Sequence, residues 1–542
     1  MFDVIVAGSG ITGTCLSSIL AKNGLKVLLI ELGRHPRFAL GEALLPQSAI
    51  WPFIIGEYFQ IPEIQHLSHA DRIIDHITTA CGIKHSIGFG YHQPDQELKA
   101  SELHQLIPPH LPFYSESHLM REDVDAYLLE VAKQYGCTYI DETRIEGIQI
   151  EDDAIHVATS QGHFSGRYYV DASGKGSVLA AQEGYRDMPS TAKTQSRCIF
   201  SHFEGLGPID ALIDSGHPNQ SNRLHDGTFH HVFDGGWMWI IPFDNFHRSE
   251  SKRASIGLML DSERYPINED LSPEAEFRQL IERFPSIQKH LQDAKPTRPF
   301  VRTKRLQYTS HTGVGHRHFL MNSAYSFIDP LYSSGLIYGF ETVFAGAIQL
   351  LKAFGKIPSA QAGDFSQAAF QGIQSLLETQ QKQADEMVST AYRCMRHFET
   401  WHAWTQYWLA QVLFHDLWLQ RHCFQYFSSG DKSIFEAFLQ EARPGNAAPF
   451  FEDKLKLLMG LQQILDRLEG SDLSPQLAQA QMLTLLKAQD WLPKHVYAWG
   501  EASERHVDFA NPELVGKLLT WGFTDSPERI RQGLFDFELP PM

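Results

Sequence analysis

Three glycines near the start of the chain restrict its fold more than any other feature. Gly8, Gly10 and Gly13 form GxGxxG directly after the β-branched run "FDVIVAG" and open a helical segment that closes on Gly24. Gly8 permits the tight turn, Gly10 lets the backbone approach a pyrophosphate, and Gly13 allows the helix to pack closely on the strand. The helix start then offers free N–H groups and a positive dipole end to phosphates. "LKVLLIE" reads as a second buried strand. Glu31 ends it, near where an acidic residue accepts hydrogen bonds from an adenosine ribose and repels the 2′-phosphate of NADP. The pattern predicts an α/β, Rossmann-like dinucleotide-binding domain. No second GxGxxG stands between a strand and a helix, so no independent nicotinamide domain is expected. With one site occupied by FAD, reducing equivalents must arrive by another route.

The 542 residues allow two or three domains. A formal net charge of −18 argues against nucleic acid and against an anionic membrane surface as partners. Cys15, Cys81, Cys137, Cys198, Cys394 and Cys423 are scattered with no CxxC pair. That is neither a disulfide framework nor a zinc ribbon, and a cytoplasmic location is expected. The N-terminus lacks the basic flank of a signal peptide. "WTQYWLAQVLFHDLWLQ" is too interrupted by Gln, His and Asp for a membrane span.

Strand-like segments recur at 140–170, "SRCIFSHFEG", "GGWMWIIPF" and "RASIGLMLD"; from about Phe365 the spacing turns helical. A boundary in "GKIPSAQAGD" divides a core, 1–360, with an interleaved substrate-side β-sheet, from an α-helical region, 361–542, that covers the substrate side. Trp401, Trp404 and Trp408, extended by Val412, make one stripe on a helix, which reads as core and, functionally, as a roof. His397, His402, His415 and His422 have no accompanying carboxylate set, so no metal is expected; the histidines of "TFHHVF" and His311, His316 and His318 are equally unpatterned.

"CGIKHSIGFGYH" (81–92), read as one strand, places Lys84 on a face with Gly82, Ser86, Gly88 and Gly90. A flexible ammonium among residues with almost no side chain has room to reach into a channel, and desolvation lowers the pKa of such a lysine. Trp237 and Trp239, two apart on a strand, face the same side and can form one wall, and Pro242 ends that strand. Ser333, Ser334 and Gly335 offer turn N–H groups suited to an anion.

Taken in order, four segments resemble the flavin-dependent halogenases related to the tryptophan halogenases. "RHPRFALGEALLP" resembles the loop that wraps the flavin, with Gly41 and Glu42 at its centre. "CGIKHSIGFGYH" aligns with the strand carrying the family's indispensable lysine, here Lys84. "GWMWIIP" matches WxWxIP through Trp237, Trp239, Ile241 and Pro242. "FIDPLYSSGL" resembles the stretch, with Asp329 and Pro330, that lies against the isoalloxazine and holds the halide at Ser334 and Gly335. Weaker matches are "MREDVDAYLLEVAKQYG", placing Arg121 on the cofactor, and "VDASGKGS". The resemblance spans roughly the first 350 residues. It implies FAD supplied as FADH2 by a separate flavin reductase, O2, and chloride or bromide oxidised to hypohalous acid. Lys84 then either hydrogen-bonds this oxidant or captures the halogen as a haloamine, and the Trp237–Trp239 wall separates flavin from substrate.

Where free-tryptophan halogenases carry a glutamate, this chain has Tyr332. That favours the branch acting on electron-rich phenols or pyrroles, as aromatic small molecules or tethered to a carrier protein. His92 and Tyr332 are the candidates for the substrate side. The family's Gly-Asp-Ala before FxDP is Asn322-Ser323-Ala324 here, which removes a charge-assisted bond to FAD. Two rival readings follow: a flavin monooxygenase or geranylgeranyl-reductase-like flavoprotein, with no use for Lys84, and a catalytically silent relative.

Overall fold

The computed structural model describes residues 1–108, 116–213, 223–441 and 450–538. The chain opens with β1 (Phe2–Ala7), α1 (Ile11–Lys22), β2 (Val27–Ile30) and α2 (Pro46–Phe59). β3 (Gly82–Lys84), β4 (Ile87–His92), β5 (Leu103–Ile107) and β6 (Glu116–His118) follow, then α3 (Arg121–Gln134), β7 (Thr138–Ile140) and β8 (Gly162–Asp171). Next come β9 (Ser196–Glu204), β10 (Thr228–Phe233), β11 (Gly236–Pro242), β12 (Arg253–Asp261) and β13 (His318–Leu320). The last part holds α4 (Gly335–Ala353), α5 (Gln371–Cys394), α6 (Phe398–Ser429) and, after further helices, β14 (His506–Asp508).

A parallel sheet runs in the order β13-β8-β1-β2-β7. Val4, Ile5 and Val6 of β1 are fully buried, as a parallel sheet covered on both faces requires. The strands' C-terminal ends share one edge, which gathers Gly8, Glu31, Asp171 and Asn322 where such sheets bind ligands. α4 crosses α1 so closely that a Cβ on Gly339 would lie 2.7 Å from Thr12. By length and composition α4 is apolar enough to span a membrane, but 72% of it is buried in the protein, where it packs on α1 and α2.

The second sheet has the order β9-β12-β11-β10-β4-β5-β14. Its outer face, including Phe229, Phe233, Met238 and Ile240, packs on the segment around Phe277–Leu291. The pairing register sets Phe89, His230, Trp239, Gly257 and Phe200 in one row across the inner face.

Two local expectations are corrected. Residues 81–92 are two strands: β3 pairs with β6 in a separate ribbon, and β4 belongs to the large sheet. The chain switches at His85 and Ser86, where Gly227 passes so near that a Cβ would lie 2.0 Å from the Ser86 carbonyl oxygen. Gly88 and Gly90 therefore make room for the Phe229 ring on the outer face and not for Lys84. His92 shares that outer face, because side chains alternate from inner Phe89 and Tyr91. The C-terminal region is helical, as expected, and adds one short strand, β14, that pairs with β5 and extends the large sheet.

Candidate active site

At the sheet edge, α1 begins at Gly10 with no side-chain cap, so its first N–H groups face outward. Gly8 has φ +95°, and a Cβ on Gly13 would fall 2.0 Å from the Gly8 carbonyl oxygen. A Cβ on Gly10 would meet only Arg37, at 3.8 Å. The Glu31 carboxylate accepts from the Ser9 and Gly33 N–H groups, each at 2.9 Å, and pairs with Arg37. Burial opposes its ionisation, but Arg37 and these N–H groups outweigh burial and hold the pKa below the ordinary range. Uncapped donors, a glycine where a backbone can approach closely and a fixed carboxylate fit a flavin dinucleotide: phosphates at Gly10 and α1, adenosine towards Glu31.

The loop from Arg34 to Pro46 is fastened from α3. Arg121 makes a bidentate pair with Asp125 at 2.8 and 2.9 Å, and also donates to the carbonyls of Leu40 and Gly41. Gly41 takes φ +94°, and a Cβ there would lie 2.9 Å from Arg121. Arg121 thus grips the loop's backbone. Glu42 is buried with Oε1 2.7 Å from His202 Nε2. Two residues later, the Leu44 carbonyl accepts a 2.8 Å hydrogen bond from Lys84 Nζ, and Lys84 is 1% exposed. A short ribbon in the large sheet's neighbourhood thus delivers an ammonium to the loop beside Glu42.

Trp237 and Trp239 do share the inner face, with ring centroids 5.9 Å apart. Trp239 Nε1 donates to Ser255 Oγ at 3.1 Å, and its indole lies over Gly257, where a Cβ would stand 2.0 Å from the ring. Gly257→Ala is expected to push that indole off the wall and cost about 1–3 kcal/mol of stability. Thermal unfolding and near-UV circular dichroism check this; unchanged tryptophan ellipticity would show that the wall does not depend on Gly257.

Asp329 sits against this wall, accepting from Ser196 Oγ at 2.6 Å, Tyr392 Oη at 3.2 Å and the Leu331 N–H at 3.1 Å. Burial pushes its pKa up to about 7 despite these donors. Pro330 follows, its carbonyl accepting from the Ser333 N–H at 3.0 Å. Ser333 has φ +50°, Ser334 caps α4 without a side-chain cap bond, and a Cβ on Gly335 would meet nothing within 4 Å. The outward N–H groups at this helix start suit a halide. Asn322 donates to Gln380 of α5 at 3.0 Å, so the departure from Gly-Asp ties this edge to the C-terminal helices.

Those helices cover the inner face. Trp401 and Trp408 meet the Phe89 ring edge-on at 5.5 and 5.4 Å. Trp408 stacks on Tyr332 at 5.2 Å, and Trp404 Nε1 donates to Tyr332 Oη at 2.6 Å. The tryptophan stripe is therefore buried core, packed against the inner face of the large sheet. Burial drives the Tyr332 hydroxyl well above its ordinary pKa, so it stays neutral. His92 instead heads an outer-face chain, 2.8 Å from His231, which lies 2.9 Å from His290. Sequence reading missed His230, which faces inward beside Trp237, and Ser196 and Tyr392, which hold Asp329. Alternation in "TFHHVF" could have placed His230; nothing local marks the other two. Among the described residues no cluster of three or more His, Cys, Asp or Glu is disposed to hold a metal.

A dinucleotide cradle, an aromatic wall and a layer of helices packed on it are the parts of a flavoenzyme. The tryptophan halogenase family model matches residues 112–441, and the chain belongs to that family of flavin-dependent halogenases. It is 40% identical over 408 residues to the monodechloroaminopyrrolnitrin halogenase PrnC of Pseudomonas fluorescens, covering 75% of this chain and 70% of that one. It is 33% identical over 471 residues to the tetracycline 7-halogenase of Kitasatospora aureofaciens, covering 86% and 83%. The crystal structure of halogenase PltM with phloroglucinol and FAD superposes with a TM-score of 0.86 at 30% identity, over 93% of this chain and 99% of that one. The enzyme is an FAD-dependent halogenase of aromatic substrates, which disposes of the monooxygenase, reductase and silent readings.

Proposed function

We propose that this enzyme halogenates an electron-rich phenol or pyrrole with hypohalous acid that Lys84 holds or captures. FAD, when bound in reduced form and supplied with O2, provides the oxidising power that turns chloride or bromide into that acid. The observation that carries the reading is the buried Lys84 ammonium on Leu44, two residues from Glu42 and near enough to inner-face His230 for its charge to act there. A buried cation orients hypohalous acid for attack by the arene. Ser334 and Gly335 are the halide site, at the outward end of α4. Gly8, Gly10, Gly13, Glu31, Gly41 and Glu42 hold or flank FAD, with Arg121, Asp329 and Pro330 shaping the loops around it.

Neutral Tyr332, fixed by Trp404 and Trp408, supplies no carboxylate to assist the arene. That supports a ring already activated by its own oxygen or nitrogen, as does the phloroglucinol in the PltM structure. A free arene is the simpler substrate; a relative named as a carrier-protein pyrrole chlorinase supports testing a tethered one as well. The experiment supplies the protein with FAD, NADH, a flavin reductase, O2 and bromide. The arene panel starts with phloroglucinol and continues with pyrroles, anilines and a carrier-bound pyrrole. Brominated products are expected from the phenols or pyrroles; bromination confined to other arenes would overturn the substrate class.

A further inference from the structure

We propose that His230 is the base that removes the ring proton from the arene once the halogen has been added. This inference rests on the functional reading above and supplies what that reading lacks, a destination for the proton. Tyr332 is a poor acceptor for it, being neutral and with its oxygen already accepting from Trp404.

His230 lies in the middle of the inner-face row, between Phe89 and Trp239. Its ring stacks on Phe89 at 4.7 Å with an interplanar angle of 23°, and tilts against Trp237 at 5.7 Å. Nδ1 is 3.0 Å from the Gly88 carbonyl oxygen. A carbonyl only accepts, so Nδ1 carries the hydrogen and Nε2 the lone pair. Among the described residues no donor meets Nε2. Other histidines of the sheet and of the β3–β6 ribbon are differently placed. His118 has both nitrogens engaged, Nδ1 with the Pro242 carbonyl at 2.6 Å and Nε2 with Thr228 Oγ1 at 2.8 Å. His202 Nε2 is taken by Glu42, and His104 pairs with His402 at 2.9 Å. His230 thus presents an oriented acceptor among the inner-face aromatic rings, 4% exposed, with its ring held by Phe89 and Trp237.

Its basicity suits the work. Burial lowers its pKa to about 3, and the nearby Lys84 charge adds to the effect. An arenium ion is a strong acid, so a weak base suffices, and a weak base gives the proton up again. Atoms and electrons balance across the step. The ring attacks the halogen of hypohalous acid, a carbon–halogen bond forms, and the O–X bond breaks to release hydroxide. The C–H electron pair returns to the ring as its proton passes to Nε2. The imidazolium then protonates the hydroxide, leaving haloarene, water and neutral His230.

The test compares wild type, His230→Phe and His230→Gln. The arene is the one wild type brominates fastest in the screen above, protonated or deuterated at the carbon that receives bromine. Wild type is expected to show no isotope effect. His230→Phe, which keeps a ring against Phe89, should lose about 10²-fold in rate. It should also show a clear normal isotope effect, with unchanged binding of the arene to FAD-free protein by tryptophan fluorescence. His230→Gln keeps a donor for Gly88 and an acceptor for the proton, so it should recover part of the rate, and it stands in if the phenylalanine variant misfolds. A near-wild-type rate without an isotope effect in His230→Phe, or equal loss in both variants, overturns the base. If wild type brominates no arene, the functional reading itself fails and the base role falls with it.

Discussion

Lys84→Ala is expected to lose about 10³-fold or more of haloarene formation, the range seen when a positioned proton donor or acceptor is removed. FAD binding and the oxidation of FADH2 should persist, because Gly8–Gly13, Glu31 and the grip of Arg121 on Leu40 and Gly41 are untouched. The oxidant would then be made but not held, so a soluble trap such as monochlorodimedone should collect more halogen than with wild type. Lys84 is buried and bonded to Leu44, so truncation also leaves a buried carbonyl without its donor, at about 1–3 kcal/mol. Lys84→Met separates the two effects by keeping most of the volume without the charge. A melting temperature close to wild type with no haloarene assigns the loss to chemistry. Lys84→Arg is not a rescue, since a planar guanidinium does not fit a space shaped for an ammonium. Haloarene formation by Lys84→Met within about tenfold of wild type would remove the lysine from the mechanism.

How much of this site the sequence discloses depends on how local each signal is. GxGxxG, Glu31 and the Trp237–Trp239 spacing are legible because turn geometry and strand alternation act over a few residues. The alternation argument failed at Lys84 for a nonlocal reason: Gly227, far along the chain, crosses at Ser86 and sends β3 and β4 to different sheets. The same switch put His92 on the outer face. Tyr392 and Ser196 meet on Asp329 from different parts of the chain, and no spacing rule anticipates such a meeting. The tryptophan stripe was legible as a buried face, but its partners Phe89 and Tyr332 were not, because they come from two other segments.

The protein is also expected to lose its fold sharply on mild acidification. Burial holds the imidazoles of His92, His118, His230 and His415 at about 3, and those of His290, His318 and His402 at about 4. His104 and His231 lie well below the ordinary value for the same reason. In the unfolded chain each titrates near about 6.5. A folded pKa below the unfolded one means stability is fully present above about 6.5 and is lost as pH falls towards 3 or 4, by roughly 1.4 kcal/mol per group per pH unit. Four buried carboxyls act in the opposite direction. Burial raises Asp329 and Glu341 to about 7 and Asp416 to about 8, and raises Asp171 as well. Each of these stabilises as pH falls through that range, but the histidines outnumber them. Several excess protons per molecule therefore drive unfolding, against a total stability of about 5–15 kcal/mol. Circular dichroism and melting temperature should be steady above about pH 8 and fall cooperatively between about pH 6 and 5. Hydrogen-ion uptake of several protons should accompany the transition. A melting temperature that stays flat down to about pH 4.5 would mean that these histidines are solvated or already charged in the fold, including the neutral His230 that arene deprotonation requires.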